Sequence, residues 1–407
     1  MTNGGKQAAG LNAAVNLLTL ATCLSGAGVA ICDGMLPQIA KDFGTTTGEA
    51  GAVTLAFTGA YGVALLAFGP LSDRCGRLPI ICASLAACAI AAVVSARASR
   101  FDDDLVLMRL FWGAAAAGVM PMSIAWVGDA FPYERRQAAL ARLLLGFLGG
   151  MLLGQIAGGQ FGEQSGGWRA AFLVLAPWYG LAAVLLASRM KKINALSTPS
   201  IAVRLGVLSR WMTVLRVPWA RVVLLCALAE GMGPVSYMPS LLHGRFALSP
   251  SAASGMIALF AVGGLAYAMT AASMVRRISE ARMVLAGGAL MALGMLGWYA
   301  SPYPWSAAPV ALLAGFGTYL FHGVLQTHAT QMAPAGRGTA VSLFASSLFV
   351  GQAIGVAWSG AALDRLGPAV LLLLPAVCLL VTAVAFGRSI KARTTTETHR
   401  PDAVATV

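Results

Sequence analysis

Charged side chains are scarce in this sequence of 407 residues. Only 11% of the residues are Asp, Glu, Lys or Arg, which is roughly half the charged fraction of a typical soluble domain. Hydrophobic residues make up 58% of the chain. The composition therefore argues against an ordinary soluble protein and predicts a chain that crosses a membrane several times.

The sequence also lacks the motifs that many enzymes and nucleotide-driven pumps use. It contains no nucleotide-binding loop of the form G-x-x-x-x-G-K-[ST], no nucleophile elbow and no zinc-binding helix motif. Its seven cysteines lie in or beside apolar runs and show no metal-ligand spacing, so no metal site or disulfide framework is expected. We expect a protein that is not an enzyme, has no cofactor, and draws any energy it uses from an ion or solute gradient.

What the sequence has in abundance is long apolar runs. A helix needs about 20 residues to cross the hydrocarbon core of a bilayer. Runs of about that length, bounded by charges or turn residues, predict an all-α polytopic fold with twelve transmembrane helices. The predicted spans are 13–38, 49–71, 79–96, 105–128, 138–161, 168–187, 218–242, 251–274, 283–300, 306–329, 339–362 and 368–387.

The basic residues are divided unequally between the two sides that these spans define. With both termini on one side, 21 of the 28 Lys and Arg residues fall on that side, six fall on the other, and Arg109 lies inside a span. Basic loops favour the cytoplasm. We therefore expect a multi-pass protein of the cell (inner) membrane with cytoplasmic termini. The net charge of +13 then reflects topology and contact with anionic lipid, and no nucleic-acid partner is needed.

Residues recur along the chain at a nearly constant offset, which indicates an internal duplication. Gly150 and Gly154 are followed 201 residues later by Gly351 and Gly355. The offset predicts two pseudo-symmetric six-helix halves of the same topology, 1–187 and 218–387. Residues 188–217 join them as a cytoplasmic linker with an amphipathic helix, and 388–407 form a tail expected to be disordered.

The turn between the second and third spans carries the most distinctive motif. It reads G-x-L-x-D-R-x-G-R, with the small and charged positions at Gly69, Asp73, Arg74, Gly76 and Arg77. This pattern resembles the signature loop of the major facilitator superfamily, and the resemblance covers nearly the whole chain. It implies a transporter that works by alternating access. It also implies that Asp129, at the inner end of span four, pairs with Arg74 or Arg77 and helps to gate the cytoplasmic side.

Three ionisable residues lie inside apolar spans, where a charge costs about 3 kcal/mol on insertion scales. Asp33 and Arg109 are placed at similar depths near the outer face, so we expect an ion pair. The surroundings of both resemble family patterns, and the resemblance links the arginine to proton transfer. Glu230, in span seven, is either a second proton site, a counter-charge for a cationic solute, or a neutral hydrogen-bonded acid. We assign these three residues to proton coupling.

Polar and aromatic residues at mid-membrane positions are candidates to line a substrate cavity. His322 and Gln326 share a helix face with Tyr319 one turn earlier, although a hydrogen-bonded histidine between helices explains His322 as well. The cavity set predicted from these and other spans comprises Tyr61, Trp112, Gln155, Tyr237, Tyr319, His322 and Gln326. So many aromatic groups favour a lipophilic or amphipathic solute.

The run from Gly150 to Gly159 resembles the antiporter motif G-x-x-x-G-P-x-x-G-G of drug/proton exchangers, with Gln155 in place of the proline. The resemblance implies proton-driven export of small organic compounds. Symport or exchange of a sugar or other metabolite is the alternative within transport, and a membrane sensor that moves nothing is the alternative from another class. Expected partners are a small-molecule substrate, protons and the bilayer, and the chain is expected to be a monomer.

Overall fold

The computed structural model describes residues 3–131, 133–196, 207–333 and 337–398, and 89% of the residues it describes are helical. Twelve helical segments among these residues are long and apolar enough to cross a membrane. Apolar side chains such as Val184, Leu225 and Leu293 are more than 60% exposed, as expected for residues that face lipid. The predicted all-α polytopic fold of twelve transmembrane helices is confirmed.

Six spans form the amino-terminal half. Spans one, two and four are each built from more than one helical piece, whereas the others are continuous. The helices are α1 (Asn3–Ala30) and α2 (Leu36–Phe43), α3 (Thr47–Ala50) and α4 (Ala52–Cys75), α5 (Arg77–Ala96), a π-helical turn (Phe101–Val106) with α6 (Leu107–Ala116) and α7 (Met120–Ala130), α8 (Tyr133–Gly162) and α9 (Gly167–Asn194).

Six spans form the carboxy-terminal half, after the short linker helix α10 (Val207–Leu215). Span seven is interrupted in the same way as span one. The helices are α11 (Pro218–Gly231), a 3-10 turn (Val235–Tyr237) and α12 (Met238–Phe246), α13 (Pro250–Arg277), α14 (Glu280–Ala300), a 3-10 turn (Pro304–Ser306) with α15 (Ala307–Gln331), α16 (Arg337–Arg365) and α17 (Gly367–Thr398).

The internal duplication is visible in the packing of glycines. A Cβ added at Gly150 on α8 would lie 1.9 Å from the carbonyl oxygen of Cys23 on α1. A Cβ added at Gly351 on α16 would lie 2.0 Å from the carbonyl oxygen of Leu228 on α11. Spans one and five therefore approach each other in the same way as spans seven and eleven, because glycine lets two helix backbones touch.

Two long helix pairs join the halves: α4 packs against α16, and α8 packs against α13. Polar contacts also cross between the halves at the end of the bundle that carries the turns 44–46 and 163–166. One of them is a hydrogen bond of 2.9 Å from the Tyr237 hydroxyl to the carbonyl oxygen of Gly48. We call this end the sealed end, and the opposite end, which carries the turn at residue 76 and α10, the linker end.

The linker and the tail differ in part from expectation. Helix α10 lies where an amphipathic helix was predicted, and its Val214 is fully buried against the carboxy-terminal half. Residues 197–206 lie outside the described part of the chain. The tail predicted to be disordered from residue 388 is helical as far as Thr398, because α17 continues and buries Ile390 in the core; residues 399–407 are outside the described part.

Candidate functional site

The first span breaks where Asp33 lies. Helix α1 ends at Ala30, and α2 begins only at Leu36 with Pro37 in its first turn. A proline nitrogen has no hydrogen to donate to the carbonyl one turn earlier, so the helix cannot run through this point without losing a hydrogen bond. Gly34 lies in the break and approaches the other half closely, since a Cβ there would meet the Ser254 hydroxyl at 2.3 Å.

Asp33 is buried in this break, at the boundary between the halves. Hydroxyl groups lie beside its carboxyl from both sides, Thr54 from the amino-terminal half and Ser236 from the carboxy-terminal half. Among the described residues its Oδ1 atom has no hydrogen-bond partner. A buried carboxyl with an unsatisfied oxygen is costly unless it binds a proton or a ligand.

Arg109 is completely buried on α6. Its Nη2 donates to the Gly28 carbonyl at 3.2 Å and its Nε to the Val53 carbonyl at 3.3 Å. Its guanidinium also lies over the Phe57 ring, 4.3 Å from the ring centre. Within the described residues Nη1 has no hydrogen-bond partner. Carbonyl groups and an aromatic face thus stabilise much of this charge.

The direct ion pair expected between Asp33 and Arg109 is not formed. The two groups interact electrostatically, but the described residues contain no contact within 4.0 Å between the carboxylate oxygens and the guanidinium nitrogens. The reason lies in the end of α1, where the Gly28 carbonyl accepts from the guanidinium. Backbone carbonyl groups therefore fix the position of the arginine. The Oδ1 atom of Asp33 has no hydrogen bond among the described residues, but the carboxyl still interacts electrostatically with the guanidinium.

Glu230 and His322 form a second polar pair in the carboxy-terminal half. Glu230 lies in the last turn of α11, and His322 lies on α15. The imidazole Nδ1 is 3.1 and 3.2 Å from the two carboxylate oxygens, while the side chains of Glu230 and His322 are 3% and 20% exposed. A carboxylate beside Nδ1 favours the tautomer with the hydrogen on Nδ1. The Nε2 atom can then accept a hydrogen bond or bind a proton. Tyr319 contacts the ring edge-on, with 6.3 Å between ring centres.

Three other predicted cavity residues are packed inside the protein, one within a half and two between the halves. Trp112 is fully buried inside the amino-terminal half and packs edge-on against Phe172, with 5.3 Å between ring centres. Tyr61 stacks on Phe349 of the other half at 4.1 Å, and Tyr237 bonds across the halves as described above. Trp112 is therefore a core residue, because its indole fills the space between α6 and α9, while the two tyrosines join the halves.

The two predicted glutamines differ in exposure. Gln326 is exposed on α15, one turn from His322. Gln155 on α8 is 7% exposed, and its Nε2 has no hydrogen-bond partner among the residues described. Its amide is a donor that a polar group entering the site would satisfy.

At the linker end, Gly76 ends α4 with a φ of 86°, and α5 begins at the next residue. A left-handed φ is accessible to glycine without strain. The turn brings Arg77 to Asp129 at the end of α7, with 3.5 Å between Nε and Oδ2. Arg77 also donates to the Ser72 hydroxyl, whereas Arg74 is exposed. The surroundings of Gly69 and of the Asp73 side chain lie outside the described part of the structure.

Two acids at the sealed end were missed from the sequence. Glu163 and Asp364 each contact the opposite half. Their signal in the sequence was their separation of 201 residues, the same offset as the repeated glycines. Among the described residues, no three His, Cys, Asp or Glu side chains are grouped so that they could hold a metal ion.

Comparison with known proteins gives a consistent match. The family model of the Major Facilitator Superfamily matches residues 18–356 and 235–405. A probable transporter of Streptomyces coelicolor is 27% identical over 377 residues, covering 86% of this chain and 81% of that protein. Multidrug resistance protein D of Escherichia coli is 30% identical over 167 residues, covering 40% of this chain and 41% of that protein.

Solved structures share the fold. The crystal structure of a D-xylose-proton symporter superposes with a TM-score of 0.73 at 15% identity, covering 91% of this chain and 95% of that one. At that identity the likeness concerns the arrangement of helices and not the solute.

Proposed function

This chain belongs to the Major Facilitator Superfamily of transporters, and we propose that it exports small lipophilic or amphipathic organic compounds in exchange for protons. The excess of basic residues at the linker end supports a cytoplasmic position for that end. The contacts across the sealed end then correspond to a state closed to the outside and able to open inward.

The observation that carries the proposal is the environment of Asp33. Its carboxyl lies in a helix break between the halves, has an unpartnered oxygen among the described residues, and is within the field of a buried arginine that it does not touch. Gain or loss of one proton by Asp33 changes the electrostatic interaction between its carboxyl and the Arg109 guanidinium. The relative free energies of the outward-open and inward-open states change with it, and this is the coupling step.

The Glu230–His322 pair supports a cationic solute. The Glu230 carboxyl is a buried acid with one ionisable partner, and such a group can serve as a counter-charge to an organic cation. The aromatic ring of Tyr319 lies beside the imidazole, with 6.3 Å between ring centres, and is of the kind that can contribute to binding a cation. The name of one relative, multidrug resistance protein D, supports export of drug-like compounds in general.

Uptake by symport is the second candidate, and Gln155 is the observation that favours it. It stands where the antiporter motif has proline, and its amide, unpartnered within the described residues, is a donor for a hydroxylated solute. Export and uptake predict opposite effects on the amount of solute in the cell.

Susceptibility of a pump-deficient bacterial host tests the proposal. Cells that express the protein are expected to tolerate more ethidium, a lipophilic cation, and to accumulate less of it than cells with empty vector. Asp33→Asn should abolish the protection. Asp103→Asn should retain it, since this exposed acid pairs with Arg100 at 2.9 Å in a surface turn. Protection by the Asp33→Asn variant at the level of the parent would contradict the proposal, as would increased ethidium accumulation on expression.

A further inference from the structure

Glu163 bridges the two halves at the sealed end. It follows directly after α8, and its carboxylate accepts hydrogen bonds from the Ser251 hydroxyl and from the Ser251 backbone N–H, the latter at 3.4 Å. Ser251 lies in the first turn of α13, whose N-cap is Ser249. An ionised carboxylate is stabilised there by the unpaired N–H groups and the dipole of the helix start. The contact therefore ties the end of span five to the start of span eight.

Asp364 makes the corresponding contact on the other side of the molecule. It lies in the last turn of α16, and its carboxylate accepts from the Gly48 N–H at 3.1 Å and from the Thr46 hydroxyl at 2.5 Å. Thr46 is the N-cap at the start of span two. The start of span two and the end of α16 lie very close together here. A Cβ added to Gly48 would lie 2.3 Å from the Asp364 carboxylate and 2.4 Å from the Gly360 carbonyl oxygen.

These two contacts are related by the internal duplication. Glu163 and Asp364 are 201 residues apart, as are the repeated glycines of spans five and eleven. Their partners, Ser251 and Gly48, are 203 residues apart. An acid at the end of the fifth span of each half thus binds a helix start of the opposite half, and the same arrangement occurs twice.

We propose that Glu163 and Asp364 are gating residues, which hold the sealed end closed through symmetric carboxylate contacts that must both break before this end can open. The inference rests on the proposed alternating access, since a gate matters only if the two ends open in turn. A cap within one half would stabilise its own helix in every state. These contacts join opposite halves, so they stabilise only the state in which the sealed end is closed.

Accessibility of the interface behind these contacts provides a test that needs no transported solute. Ser254 is fully buried at the sealed end, next to Gly34 and Gly159. Ser254→Cys in the full-length protein reports opening by its reaction with a membrane-impermeant maleimide. Mass spectrometry of the labelled peptide separates this cysteine from the seven native ones. The rate is compared among Glu163→Gln, Asp364→Asn, the double variant and the matched control Asp103→Asn, an exposed acid that pairs within its own half.

Exposed charged contacts are individually modest, so each single variant is expected to label about fivefold faster and the double variant about 25-fold faster, with independent effects. Asp103→Asn should label like the parent. Labelling of the double variant within about twofold of the parent would overturn the proposal, and so would equal acceleration by Asp103→Asn.

Hydrogen exchange supplies a second readout on the same samples, and it remains informative if a variant is less stable. The amides of Gly48 and Ser251 should exchange faster in the double variant, while amides at the centre of α8 stay unchanged. Unchanged exchange at both amides would contradict the proposal. Faster labelling in a protein that moves no solute would support the gate and count against the transport proposal, whereas normal labelling with lost transport would count against the gate alone.

Discussion

Replacement of Gly150 by alanine tests the duplicated packing most simply. The added Cβ would lie 1.9 Å from the Cys23 carbonyl oxygen, whereas real Cβ atoms essentially never come closer than 3.0 Å to such an atom. Helices α1 and α8 would have to separate by more than about 1 Å, and overpacking of this kind typically costs about 1–3 kcal/mol. Gly351→Ala should cost a similar amount, because its Cβ would lie 2.0 Å from the Leu228 carbonyl oxygen.

The neighbouring Gly149 offers a matched control. It lies on the same helix, and a Cβ there would have no heavy atom within 4 Å. Gly149→Ala is therefore expected to keep or raise stability, by up to about 1 kcal/mol from helix propensity. The measurement is the apparent melting temperature of each purified variant in the same detergent. If Gly150→Ala and Gly351→Ala melt at the same temperature as Gly149→Ala, the close helix contacts within each half do not exist, and the reasoning is refuted.

Three further predictions concern charges. Glu230→Gln should reduce transport of organic cations far more than of neutral compounds in parallel uptake assays, since it removes the proposed counter-charge; equal losses would exclude that role. Asp129→Asn should slow transport while changing the stability by less than about 1 kcal/mol, because its contact with Arg77 is partly exposed; an unchanged rate would exclude gating there. The hydrogen bonds from Ser251 lower the pKa of Glu163 from 4.5, so the closed state gains stability above pH 4.5 and loses it as the pH falls through the lowered value. At each pH the labelling rate of the cysteine probe in Glu163→Gln is divided by the rate in the parent, which cancels the pH dependence of the thiol itself. This ratio should fall toward one only at such acidic pH, and a fall near neutral pH would contradict the assignment.

Patterns that repeat over long stretches allowed the fold to be predicted from the sequence. Twelve apolar runs follow from the thickness of the bilayer, and the recurring glycines by themselves indicate two similar halves. The resemblance to the signature loop further implied that Asp129 pairs with Arg74 or Arg77, and the structure forms the contact with Arg77. The apolar runs and the repeated glycines depend on local composition and on topology alone.

The arrangement of the embedded charges could not be predicted in the same way. Arg109 and Asp33 were expected to form a direct pair from their matched depth, but depth does not reveal that the Gly28 and Val53 carbonyls are available to the guanidinium. The distance between Glu230 and His322 likewise depends on how α11 rotates against α15. These are tertiary properties, and no local pattern encodes them.

The contacts of the sealed end depend on the conformational state as well. Glu163 and Asp364 lie at the ends of apolar spans, where an acidic residue is usually exposed to solvent, so the sequence alone gives no reason to single them out. Only when the two halves meet does each carboxylate reach the helix start of the opposite half. Their shared offset of 201 residues becomes informative once the two acids are compared with the repeated glycines.

Proton movement in proteoliposomes tests the central claim most directly. The purified protein is reconstituted with a pH-sensitive dye inside the vesicles, and ethidium is added under an imposed pH difference. The parent and Asp103→Asn should both move protons when solute is present, whereas Asp33→Asn should bind the solute without exchanging it for protons. If Asp33→Asn exchanges protons for solute at close to the parent rate, Asp33 is not the coupling site and the account is contradicted.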